Sequence, residues 1–438
     1  MLRILMNSYT CCPGMGSEQG MGWNWITSLA KTGEVELFVI SEGEYRSQIE
    51  KSLSLTLPHR EGTAGVNNAG NSECWKERIH FYWNPVPQST RDKCWNQGNW
   101  SFYPLYEKWQ KKTAEIAREI IKELEARGER IDILHQLNMI GFREPGYLWQ
   151  VSKETGIPFV WGPVDAKDKF PLAYTEGASL KTKAFLWLKN AISVWQLKYS
   201  RRVTEAAGQA SVLLGASSNS VKSFRHYMGI DAILMNETGC NLASLEVKNE
   251  KRKVKSDNSP LEILWVGKMD FRKQLGLALE AVAHTNIDNV KLHIVGGGEN
   301  ASYKNQTEKL GISDMVVWHG AVSHDEVQQL MRECNLLLFT SVAEGTPHVV
   351  LEAMANGLPV VCHDTCGHGD SVTDECGVKI PVINPTESVK RFSEIIVDLY
   401  NDREKLATMS DNCAQRAEEL SWENKAKKMV ELYKGCNV

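Results

Sequence analysis

An α/β fold of two doubly wound parallel sheets is what this chain of 438 residues predicts. Two observations carry that expectation. A buried strand, a glycine-bearing loop, a helix and a second strand follow one another from residue 2, and the same order returns from residue 261. Between the two runs, residues 245–260 are charged, poor in apolar side chains and contain Asn-Ser-Pro, the composition of a linker. The chain is also long for a single core and fits two domains. The boundaries expected are 1–245 for the first domain, 246–259 for the linker, 260–420 for the second domain and 421–438 for a terminal helix.

Composition narrows the class. A hydrophobic share of 42% and a charged share of 24% are ordinary for a globular protein. A net charge of -4 gives no general attraction to nucleic acid. Eleven cysteines, an odd number without a repeating framework, suggest reduced thiols in a cytosol. Cys11-Cys12 has no second pair at ligand spacing to make a metal site. Residues 1–7 are too short for a signal peptide and read as a first strand. No apolar run of about 18 residues is present to span a bilayer. Fourteen Trp, many in the first half, mean much aromatic surface to bury or to offer.

In chain order, residues 2–6 form a strand, and the loop from Cys11 to Gly22 leads into a helix over about 21–31. Gly14 and Gly16, with Ser17, allow backbone to approach a ligand closely. Residues 35–41 are the next strand. Residues 62–71, rich in Gly and Asn, read as a mobile loop, and His59 before them as solvated. Residues 95–109 are aromatic with turn signals, and 106–125 have a helical pattern. Residues 131–138 form a buried strand, after which Gly141-Phe-Arg-Glu-Pro-Gly146 starts a helix; 157–161 is a further strand. Ligands of open α/β sheets lie beyond the carboxyl ends of strands, which puts His135, Asn138, Arg143 and Glu144 toward a cleft. Residues 181–202 hold six basic side chains and no acid, with Phe185, Leu188, Ile192 and Trp195 at helical spacing. Such a helix suits an anionic membrane surface; its plainer reading is packing of that apolar face on the first domain. Residues 211–215 and 220–228 are a strand and a helix. In the second domain, strands are expected at 261–267, 290–295, 316–319 and 336–339, and helices at 275–284, 387–420 and 422–433.

The stretch Glu344-Gly-Thr-Pro-His-Val-Val-Leu-Glu-Ala-Met-Ala-Asn-Gly-Leu-Pro-Val-Val361 is the most informative. Thr346 suits an N-cap and Pro347 a first helical position, with Gly357 ending the helix and 358–362 a buried strand. The amides of Thr346, His348 and Val349 then point out of a helix N-terminus, where an anion is favoured. Glu344 and Glu352 flank that position. Lys268 and Lys273 follow the first strand of the second domain, across one loop.

This Glu-x7-Glu run with its Ala-Met-Ala-Asn-Gly-Leu-Pro-Val-Val tail resembles the nucleotide-sugar site of retaining glycosyltransferases of family 4, which have the GT-B fold. The resemblance implies two Rossmann-like domains facing across a cleft, with a last helix crossing back onto the first. It assigns Glu344 to the donor sugar as a catalytic group and Glu352 to the ribose. Lys268 and Lys273 would hold the diphosphate, where the family has Arg then Lys. The glycine turn Gly296-Gly297-Gly298 resembles the donor-site loop, and the Gly14–Ser17 loop would lie between diphosphate and acceptor. Family members often carry His-x-His where this chain has His135 and Leu137, so His135 is a catalytic candidate on resemblance. Such enzymes use cations and amides in place of a bound metal, so neither metal nor cofactor is expected.

The function implied is transfer of a sugar, with retention, from a nucleotide-diphosphate sugar to a glycan or lipid-linked glycan of a bacterial surface polysaccharide. The protein would be cytoplasmic and peripheral to a membrane. Gly296-Gly-Gly-Glu-Asn-Ala301 also fits a dinucleotide fingerprint, but the following strand ends His319-Gly320 without the acid an NAD-dependent oxidoreductase needs. The same fold also leaves room for a catalytically silent sugar- or partner-binding protein and for a sugar-nucleotide epimerase.

Overall fold

The computed structural model describes residues 1–54, 74–95, 99–166, 169–175, 178–242 and 259–436. His59, the loop at 62–71 and the linker at 246–258 lie outside them.

Seven strands form the first sheet: β1 (Leu2–Ser8), β2 (Val35–Ser41), β3 (Ile79–Trp83), β4 (Ile133–Asn138), β5 (Phe159–Val164), β6 (Val212–Gly215) and β7 (Ile233–Leu234). Their order is β3-β2-β1-β4-β5-β6-β7, all parallel. Six strands form the second: β8 (Leu261–Val266), β9 (Val290–Val295), β10 (Val316–Gly320), β11 (Leu336–Phe339), β12 (Val360–His363) and β13 (Gly377–Ile380). These run β10-β9-β8-β11-β12-β13, again all parallel. Each sheet carries apolar clusters on both faces, as near-continuous Val/Ile/Leu strands require. In each, the order reverses beside the first strand, between β1 and β4 and between β8 and β11. A doubly wound sheet opens its ligand crevice there, outside the carboxyl ends.

The terminal helix Trp422–Gly435 packs on the first sheet. Ala426, Met429, Val430 and Tyr433 join Ile4, Met6, Trp25 and Leu29 in one core. Each such large side chain stabilises the return by about 1.5–3 kcal/mol. The aromatic run near residue 100 is likewise buried in part: Tyr9, Phe102, Tyr106 and Trp109 form a cluster of their own.

Several local expectations change. The first helix starts at Ser17 rather than 21, with Gly16 at its N-cap. Residues 141–146 do not open a helix. Gly141 bridges to Asp165, whose carbonyl accepts from the Phe142 amide, and the helix begins at Leu148. The basic helix spans Leu180–Tyr199 and breaks at Ser200 before Arg201–Gln209. The long helix at 387–420 is two, Pro385–Asn401 and Arg403–Glu419. The break falls at Asp402, whose side chain caps the second. Strands β3 and β13, short and at sheet edges, have no clear sequence signature.

The apolar stripe of helix Leu180–Tyr199 is the largest reversal. Phe185, Leu188, Ile192 and Trp195 were candidates for packing on the first domain, yet all four, with Tyr199 beside them, are 44–63% exposed. Leu186, Ser193 and Leu197 are the side chains that face inward. At 3.6 residues per turn these two sets lie on opposite sides of the helix. The inner side is held by polar contacts: Arg143 donates to Gln196 and Ser193, and Arg202 donates to Glu144 and to the Arg143 carbonyl.

Candidate functional site

The loops after β8 and β11 meet at the switch point of the second sheet. The first turns through Phe271–Lys273, where Asp270 accepts from the Arg272 amide. Thr340, just past β11, donates its hydroxyl to the carbonyls of Lys273 and Gln274, and the Val342 amide donates to Arg272 O. These bonds fix one loop against the other. As a result Lys273 Nζ lies 2.7 Å from Glu344 Oε1, with both side chains about one-sixth exposed (16% and 17%). The Ser341 hydroxyl is a second donor to the same carboxylate oxygen, at 2.7 Å. The sequence pointed to both charges; their pairing belongs to the fold. Lys268 stands apart. It is exposed and makes no side-chain hydrogen bond or ion pair among the described residues.

The glycine turn after β9 adjoins this loop, since Met269 N donates to Gly297 O at 3.1 Å. Gly297 and Gly298 are thus beside Lys268. Helix His348–Ala355 begins at the other side of Glu344. The amides of His348 and Val349 have no hydrogen-bond partner among the described residues and are open to an anion. Glu352 lies along this helix with its side chain 35% exposed, and among the described residues only His324 at 3.5 Å and Gln328 at 3.4 Å approach its carboxylate. Those lengths make weak bonds, so the carboxylate is available for a ligand.

Thr346 is not the N-cap. Pro347 takes that position without a side-chain cap, and the Thr346 amide and hydroxyl both donate to the Glu237 carboxylate. Glu237 was missed because nothing local distinguishes it. It lies in the segment that crosses between the domains, is 6% exposed, and receives the Trp25 indole N–H on its carbonyl at 2.8 Å. Its neighbours are equally tied. Lys425 from the terminal helix donates to Asn236 O and Thr238 O, and the Thr238 hydroxyl is 3.1 Å from His348 Nδ1. Burial pushes the Lys425 ammonium down to about 8. Further along, the Ser218 amide and hydroxyl donate to Asp370 of the second domain.

On the first domain, Gly14, Gly16 and Ser17 form an exposed loop at the end of β1, beside the β1/β4 switch point. Glu18 accepts from the Ile140 amide at 3.1 Å, joining the two switch-point loops. His135 does not face a cleft. It is fully buried, with Nε2 donating to Gly162 O at 2.7 Å and Nδ1 accepting from the Tyr433 hydroxyl at 2.6 Å. With both nitrogens taken it holds the terminal helix to the sheet and has none left for a substrate. Burial lowers its pKa to about 4. Asn138 is also buried, donating to Thr10 O. Arg143 and Glu144 serve the basic helix, and burial raises the Glu144 carboxyl to about 7 against the opposing Arg202. Among the described residues no group of three His, Cys, Asp or Glu side chains is arranged to hold a metal ion.

Residues 246–416 match the family model described as Glycosyl transferases group 1. An uncharacterized glycosyltransferase of Methanocaldococcus jannaschii is 28% identical over 201 residues, 45% of this chain and 51% of that protein. The lipopolysaccharide glucosyltransferase WaaG of Escherichia coli K12 is 30% identical over 157 residues, 35% of this chain and 40% of the relative. The chain thus spans about half or less of the length of these curated relatives. Across the whole fold, the Anabaena protein HepE in complex with UDP and glucose superposes with a TM-score of 0.56 at 16% identity, covering 99% of this chain and 100% of that one. Residues 246–416 thus match a glycosyl transferases group 1 model, and the chain as a whole has the fold of GT-B glycosyltransferase structures.

Proposed function

We propose that the protein is a retaining glycosyltransferase of the family 4 type. Its donor is a nucleotide-diphosphate sugar and its acceptor a glycan or lipid-linked glycan of a surface polysaccharide. The observation that carries this reading is the Lys273–Glu344 pair at 2.7 Å beside the open N-terminus of helix His348–Ala355. A departing diphosphate needs cations and amides already aimed at it, and these groups require no reorganisation as charge develops. Lys268 is an exposed second cation on the same loop. Glu344 sits where positive charge grows on the sugar carbon, and Glu352 is open to accept from ribose hydroxyls. The HepE complex with UDP and glucose supports a nucleotide-sugar ligand on this fold. The WaaG relative supports a glycan acceptor.

The reaction needs no metal on this reading, since Lys268, Lys273 and the helix amides supply the positive field. Among the described residues no helix is long and apolar enough to cross a membrane. We place the protein in the cytoplasm, with the basic helix Leu180–Tyr199 resting on an anionic membrane surface.

A thermal-shift screen of UDP-, GDP-, ADP- and dTDP-sugars tests the donor. One nucleotide class should raise the melting temperature by mass action. That donor should then be slowly hydrolysed without acceptor, giving an α-configured product from an α-linked donor by NMR. A sugar that binds and is never turned over would instead identify a binding protein.

A further inference from the structure

Asn190 sits on the inner side of the basic helix and grips one residue of a strap that reaches the second domain. Its Oδ1 accepts from Phe170 N at 2.8 Å and its Nδ2 donates to Phe170 O at 2.9 Å. The Phe170 ring packs on Phe271 at 5.7 Å between centroids, and Phe271 opens the turn that carries Lys273. Four residues on, Tyr174 is buried in the core of the second domain. Its hydroxyl bonds Ser388 at 2.7 Å, Ser388 bonds His363 at 2.9 Å, and its carbonyl accepts from Gln274 at 3.2 Å. Gln274 follows Lys273 directly. The route from the outer helix to the Lys273–Glu344 pair is therefore a short series of packed rings and hydrogen bonds.

The outer side of the same helix is apolar, basic and uncovered. Phe185, Leu188, Ile192, Trp195 and Tyr199 recur at spacings of three and four, and all are exposed. Lys181, Lys183 and Lys198 accompany them, also exposed, and no acid occurs between residues 181 and 202. Aromatic and aliphatic side chains flanked by lysines match the interface of an anionic bilayer, which takes the rings between headgroups and neutralises the lysines.

We propose that helix Leu180–Tyr199 is a lipid-responsive element whose docking on an anionic bilayer strengthens nucleotide binding at Lys273, through Asn190, Phe170 and Phe271. This rests on the donor-site reading above. In the docked state the helix holds the strap seated as described, which keeps the Phe271–Lys273 turn against Glu344. Released from the surface, the helix lets the strap and the turn shift together. Linkage makes the effect reciprocal: nucleotide must tighten vesicle binding by the factor by which vesicles tighten nucleotide binding.

The experiment measures both arms with the full chain. Affinity for UDP, GDP, ADP and dTDP is titrated alone, with phosphatidylcholine vesicles, and with vesicles containing phosphatidylglycerol. Vesicle affinity is titrated with and without the nucleotide that binds. Expected is a gain of about 5- to 10-fold in each direction with the anionic vesicles only. Asn190→Ala and Phe271→Ala should each still bind vesicles and still bind nucleotide, with the two affinities now independent. Replacing Lys181, Lys183 and Lys198 by Gln, all exposed and harmless to folding, should remove vesicle binding and leave nucleotide affinity at its vesicle-free value. Nucleotide and vesicle binding without mutual influence in the unaltered protein overturns the coupling and leaves the donor site standing. Coupling that survives both Asn190→Ala and Phe271→Ala overturns the route. A dimer in sedimentation that buries the stripe assigns it to a second copy and overturns the lipid surface. Failure to bind any of the four nucleotides brings down the donor reading and this inference with it.

Discussion

After β1 the chain turns through Gly14 and Gly16 in open space, where a Cβ on either would meet nothing within 4 Å. After β9 it turns through Gly296 and Gly298 against the loop that follows β8. A Cβ on Gly296 would overlap the Gly267 carbonyl, and one on Gly298 would come within 2.9 Å of Met269 Cβ. Both turns are glycine-rich sequences after a strand, and both lie at the carboxyl edge of a parallel sheet. In the second domain glycine is demanded by the protein's own packing. In the first, no neighbour among the described residues explains it at Gly16, whose φ of -89 suits any residue. An exposed turn of minimal side chain is what a close-approaching ligand would require. A glycine motif thus has two distinct causes, and only the space around it separates them.

Mutation can break that contrast directly, and the largest effect expected is at Gly296. Its φ of +147 and the carbonyl behind it leave no room for Ala. Gly296→Ala should cost about 3–5 kcal/mol of stability by denaturant titration, the range of strain plus overpacking. Gly16→Ala should change stability by less than about 0.5 kcal/mol while slowing transfer. Equal losses of stability in the two variants would abolish the distinction between the turns.

Within the second domain the two glutamates offer a finer version. Glu344 is clamped by Lys273 and Ser341, whereas Glu352 has only long contacts. Glu344→Gln should lower kcat by roughly 100-fold with little change in donor KM, because its field acts on charge that develops in the transition state. Glu352→Gln should raise donor KM roughly tenfold and spare kcat, as loss of uniform binding does. The opposite assignment of the two effects would reverse their roles.

Acid should weaken both domains through one buried histidine each. Burial lowers His135 in the first and His363 in the second to about 4. An unfolded histidine titrates near 6.5, so below that pH the unfolded chain binds protons that the folded chain does not. Stability is then constant above about pH 6.5 and falls as pH drops from there toward 4. The loss is about 2 kcal/mol per histidine by pH 5. Melting temperatures from pH 8 to 4.5 check this, and a flat profile across that window would contradict the assignment.

A smaller effect than at Glu344 is expected at Lys268, which is exposed where Lys273 is held. Lys268→Ala should weaken nucleotide binding by about 1.5 kcal/mol, the low end for a charge-assisted bond. Lys273→Ala should cost more and should also alter kcat, because it leaves the Glu344 carboxylate without its cation. Calorimetric titration of the two variants distinguishes them; identical losses would place both lysines equally on the ligand.

Much of the second domain was legible because its signals are local. Strand, loop and helix follow within thirty residues of one another, and the switch-point rule then puts residues 268–273 and 344–352 at one crevice. The terminal helix was legible for the same reason, by its periodicity. The first domain yielded less. Its His135 sits at the end of a strand, as a catalytic histidine would, and only Tyr433, arriving from the far end of the chain, reveals a structural post.

What the sequence alone determined is which residues share a face, a loop or a strand end, since those follow from the periods 3.6 and 2 and from turn chemistry. Which of those faces is covered was decided by the tertiary structure. The stripe of Phe185, Leu188, Ile192 and Trp195 was plain as a stripe, but its outward direction depends on Arg143 holding Ser193 and Gln196 on the opposite side. Likewise Glu237 and Thr346, 109 positions apart, carry no signal of each other. Their contact exists only because the segment carrying Glu237 is brought against the second sheet's loops in the folded chain. Periodicity orders neighbours along the chain, and it is silent about partners supplied by another domain.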